Sequence, residues 1–156
     1  MHAAFRLCAI TAALVALWFS AAHAKDEIFA NQDAYVAHME FLGYKVEPLK
    51  QSINFTHPTN WNVSLKKYAG GLLMTAQLNV SELDDKKRNI LLSIINKFNA
   101  DAILVRFYLS TDEKSTLIEA LYQGDYDRAR FGEFVASFNA SKQQATASSE
   151  FRKFWK

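Results

Sequence analysis

Side chains able to do chemistry are few once the chain is read past its first 24 positions. Two histidines remain, His38 and His57. His38 falls in a helical stretch beside Met39 and Glu40. His57 precedes Pro58 in a turn, where a polar residue needs no further reason. No two histidines stand four apart, and the single cysteine, Cys8, lies inside a leading apolar run, so no zinc motif is present. Nucleophilic hydrolysis would need a strained serine elbow of the Gly-x-Ser-x-Gly type, and none occurs. The carboxylate pairs Asp84-Asp85 and Asp112-Glu113 fall at a helix start and in an exposed turn. Both are wet places, where a carboxyl pKa is not moved into the range of general acid–base work. Gly70-Gly71 is followed by Leu72-Leu73, without the lysine and hydroxyl of a phosphate loop. These residues predict no catalytic group, no metal and no cofactor. The enzymatic alternative is a site assembled from distant residues, a serine or carboxylate brought beside one of the histidines.

The elements around these residues begin with a segment of a different kind. Leu7–Phe19 is an unbroken apolar run after a short basic start, and Ser20-Ala21-Ala22-His23-Ala24 ends in a small-x-small pattern. That layout predicts a signal peptide over 1–24, because a membrane span needs about 20 apolar residues. It implies export to the periplasm or beyond. The alanine-rich run has a bacterial look. The remainder has no cysteine, so it must hold together by an apolar core alone. With 18 basic and 16 acidic residues in the whole chain, no global charge draws it to nucleic acid.

Apolar spacing then predicts a helix over 26–42 ended by Gly43 in a left-handed cap, and strands over 44–49, 52–56, 61–66 and 72–80. A helix capped by Ser81 follows, with Ile90, Leu91, Ile94, Ile95 and Phe98 as its buried stripe and Asn99 as its stop. Strands at 102–109 and 117–122 flank a turn at Thr111–Lys114, and a third helix carries Phe131, Phe134, Val135 and Phe138 on one face. The order is helix, three or four strands, helix, two strands, helix, in the shorter count α-β-β-β-α-β-β-α. This is an α+β domain over 25–139, an antiparallel sheet with its helices on one face. The small polar run 140–150 reads as a flexible linker to the aromatic, basic end Phe151–Lys156. That end either folds back on the sheet or makes weak contact with a membrane surface.

The hairpin at 102–122 is the most informative stretch. A turn centred between Asp112 and Glu113 pairs Ile103 with Tyr122, Val105 with Ala120 and Phe107 with Ile118 on the core side. The other face then carries Leu104 opposite Leu121, Arg106 opposite Glu119, and Tyr108 opposite Leu117. Four apolar side chains exceed what a bare surface shows. Either the C-terminal segment or the first helix covers them, or they form a binding face for a protein partner or a second copy in a homodimer.

The order of elements, the helix ending Ile94-Ile95-Asn96-Lys97-Phe98-Asn99, the strand Leu104-Val105-Arg106-Phe107-Tyr108-Leu109 and the Phe-rich last helix resemble the YbjN family over about residues 26–139. These are bacterial proteins regarded as sensory-transduction regulators, with a fold similar to type III secretion chaperones. The resemblance implies a non-enzymatic binding role and dimers. Its members are read as cytoplasmic, in contrast to the export signal here.

Overall fold

In the computed structural model the described residues are 27–156, so the signal peptide predicted over 1–24 lies outside them. Helix α1 spans Gln32–Phe41 and is followed by β1 (Lys45–Pro48), β2 (Ile53–Thr56), β3 (Val63–Tyr68) and β4 (Gly71–Asn79). After these come α2 (Asp85–Asp101), β5 (Arg106–Leu109), β6 (Ser115–Tyr122), α3 (Arg128–Ala147) and the short α4 (Ser149–Arg152). Four strands thus precede the middle helix. The six strands form one antiparallel sheet in the order β1-β2-β3-β4-β6-β5.

Local chemistry explains most boundaries. Gly43, at φ 89°, closes α1 with its N–H on the Glu40 carbonyl while Tyr44 N–H reaches Met39, a Schellman motif. The β3–β4 turn consists of Ala69 and Gly70, both with positive φ, which makes a two-residue turn whose twist matches the strands. Gly71 follows because a Cβ there would lie 2.4 Å from the Tyr122 carbonyl oxygen on β6.

The core lies between one face of the sheet and the helices. Ile53, Phe55, Leu65, Met74 and Ile118 from the sheet meet Tyr35, Met39, Leu91, Phe131 and Phe138 from the helices. Around Tyr35 the rings of Tyr126 and Phe131 stand edge-on, with centroids 4.9 and 4.8 Å away.

Several predicted boundaries are corrected. Ser81 does not cap α2. Its N–H and hydroxyl go to the carbonyls of Phe154 and Trp155, because the C-terminal end pairs beside Val80 and keeps 79–81 extended. Asp84 takes the capping role and accepts from Lys87 N–H at 2.8 Å. Helix α2 runs past Asn99 to Asp101, so residues 102–105 must turn the chain back toward the sheet. Ile103 is therefore fully exposed and does not pair with Tyr122 in the core. Ile90 is exposed too, and the stripe of α2 is Leu91, Ile94 and Ile95, with Phe98 half-buried against Phe107 and Phe151.

The predicted flexible linker is helix instead. Residues 140–147 continue α3, with Lys142 and Ala145 prolonging the inward stripe of Phe131, Phe134 and Phe138. Phe151 and Phe154 then fold back into the core.

Candidate functional site

Among the described residues all four helices and the C-terminal end contribute to the core side, and no helix covers the opposite face of the sheet. The side chains on that open face follow from strand register. One row crosses all six strands as Glu47, Asn54, Ser64, Thr75, Glu119 and Arg106. It is polar throughout. Beside it, Lys66, Leu73 and Leu121 form a second row, with Leu104 at its end. On the other side Gln77, Leu117 and Tyr108 form a third.

The second row and the β5 end of the first enclose a groove of about 520 Å³. Its floor is Leu73, Leu121 and Glu119 on the central strands β4 and β6. Lys66 and Tyr68 rise from β3 on one side, and Leu104, Arg106 and Tyr108 stand on the β5 side. Leu73 is nearly buried on the groove floor and stands outside the core cluster. Tyr68, Leu104 and Tyr108 remain 54%, 37% and 36% exposed.

The charges in the groove are not equivalent. Glu119 accepts from Thr75 Oγ1 at 3.1 Å. Burial, then the Glu119 carboxylate and Tyr68, push the Tyr108 phenol up to about 12. Arg106 faces Glu119 in register, yet among the described residues neither Arg106 nor Lys66 forms an ion pair. The carboxylate holds one hydroxyl, that of Thr75, while neither cation has an ion-pair partner.

The structure thus brings Leu104, Arg106, Tyr108, Glu119 and Leu121 together as the register predicted. Leu117 lies in the neighbouring row, outside the groove lining. Lys66, Tyr68 and Leu73 were missed as members. The available signal was Leu73 itself, an apolar residue out of phase with the Leu72, Met74, Ala76 alternation on β4.

The histidines lie away from this face. His38 Nδ1 is 3.2 Å from the Tyr126 hydroxyl, and burial and Arg128 lower its pKa. His57 Nδ1 accepts from the N–H of Thr59 and of Asn60 at 3.1 and 2.9 Å, which uses that ring nitrogen to build the turn. Asp84 and Asp112 are held below the usual carboxylate range, Asp84 chiefly by the Lys87 amide and Asp112 chiefly by the Ser110 hydroxyl. Among the described residues no cluster of three or more His, Cys, Asp or Glu side chains could hold a metal ion.

No protein-family model matches the chain, and no curated protein matches it. Its fold is shared with a solved structure, that of YbjN from E. coli, a candidate transcription regulator. The two agree at a TM-score of 0.64 with 12% sequence identity, over 83% of this chain and 98% of that one. The fold is therefore YbjN-like, in line with the resemblance in the sequence. Likeness at that identity concerns architecture, since one fold carries many functions.

Proposed function

We propose that this protein is a small exported binding module, without chemistry of its own, that holds a protein partner on the open face of its sheet. The single observation that carries this reading is the uncovered groove, with apolar Leu73, Leu104, Tyr108 and Leu121 beside two unpaired cations. Export rests on the apolar run and small-x-small ending of residues 1–24. The alternative of a surface attachment through the C-terminal end draws no support from the burial of Phe151 and Phe154.

The test is paired. Amino-terminal sequencing of the protein from the envelope fraction should begin at Lys25, and a start at Met1 would refute export. Tyr108→Glu should remove the partner from the purified complex while the unfolding curve stays that of the wild type. An intact complex would refute the binding face.

A further inference from the structure

The groove has a definite width and a definite charge, and together they select an occupant. Its two walls stand on β3 and β5, which β4 and β6 separate. Adjacent strands lie about 4.8 Å apart, so the walls are about 14 Å apart. That gap takes one helix, about 10–12 Å across with its side chains. Leu73 and Leu121 on the floor would receive an apolar stripe. Lys66 on one wall and Arg106 on the other form no ion pair among the described residues, while the Glu119 carboxylate on the floor accepts from Thr75 Oγ1.

Addition of a strand to the sheet edge is the competing mode, and each edge carries an obstacle to it. On β5 the side chain of Asn99 occupies the outward backbone of Phe107, donating to its carbonyl and accepting from its N–H, each at 2.8 Å. The other edge strand, β1, ends in Pro48, which has no N–H to give.

We infer that the partner presents an amphipathic helix along β4 and β6, with carboxylates flanking its apolar stripe to meet Lys66 and Arg106. This rests on the open face being the binding site and names what it binds.

Two synthetic 18-residue helical peptides test it on the chain from residue 25 onward. They share one leucine stripe and differ in carrying glutamate or lysine on both flanks. Calorimetric titration should show the glutamate peptide binding about tenfold tighter, with the preference reversed by the double variant Lys66→Glu/Arg106→Glu. Amide NMR shifts should map the contact to β4, β6 and β5.

Equal binding of both peptides to this face would overturn the charge assignment and leave the binding face standing. Shifts confined to the helical side, or no shift at about 1 mM peptide, would overturn the helix inference. Failure of the face itself would be read separately, by retention of the native partner in Tyr108→Glu. Sedimentation with phosphatidylglycerol vesicles, together with indifference to both peptides, would assign the cations to lipid and contradict the inference.

Discussion

At Lys142 helix α3 points an amine into the core, with only 3% of the residue exposed. The nitrogen has no hydrogen-bond partner and lies 5.4 and 5.8 Å from the ring centres of Phe138 and Trp61. The rings offset part of the cost of burying a charge, since a desolvated cation–π contact contributes about 2 kcal/mol. Burial still lowers the pKa from 10.5 to about 8. Between those values the unfolded chain holds a proton that the folded chain has shed, so stability rises with pH. Tyr35 and Tyr108 act in the opposite sense. Each phenol is raised from 10.0 to about 12, so their contribution is complete below pH 10 and lost as pH climbs to 12. Urea midpoints should therefore peak near pH 10. Lys142→Met should gain about 1–3 kcal/mol at pH 7 and lose the rise between pH 8 and 10. A less stable variant that kept the rise would contradict this account. Ala69 offers a second residue-scale test, because an alanine at φ 46° costs about 1 kcal/mol that asparagine or glycine does not incur to the same extent. Ala69→Asn should raise the thermal midpoint by several degrees in a calorimetric scan.

Among the elements, β5 depends most on one neighbour. Asn99 pairs with the backbone of Phe107 as a further strand would, from a helix that has two residues more to run. Removing this amide leaves two edge groups without it, at about 1–3 kcal/mol. Asn99→Ala should lower the urea midpoint and lead to concentration-dependent association through the freed edge, seen by sedimentation velocity. A monodisperse variant of unchanged stability would contradict that role. The same residue shows where sequence legibility ends. The register of β5 against β6 was readable, because an even-length turn and the opposed Arg106 and Glu119 fix it. The place of Asn99 was not, since it links residues on two elements whose approach only the fold determines. The run from Ala140 to Glu150 misled for a different reason. Its small polar composition suits a linker, yet Lys142 and Ala145 continue the spacing of Phe138, and period should have outweighed polarity. Ser81 lost its cap role to a tail 74 residues away.

In the molecule as a whole, the asymmetry of the sheet links the fold to the proposed function. One face is filled by helices and the C-terminal end, while the other bears a polar row, a groove and two cations that form no ion pair among the described residues. The alternation across the hairpin at 102–122 already placed Leu104, Arg106, Tyr108, Leu117, Glu119 and Leu121 on one face. That the C-terminal end would not cover them needed the folded structure, because Phe151 and Phe154 could have lain on either side. The YbjN-like fold supports this architecture and leaves the ligand to the groove's own chemistry. The most direct test is site-specific photo-crosslinking in the native host. A photoreactive residue replacing Leu104 or Leu117 on the open face should give a discrete adduct with a partner protein. The same residue replacing exposed Ala136 or Gln143 on α3 should give none. Adducts formed equally from both faces, or from α3 alone, would contradict the claim that the open sheet face is the working surface of this protein.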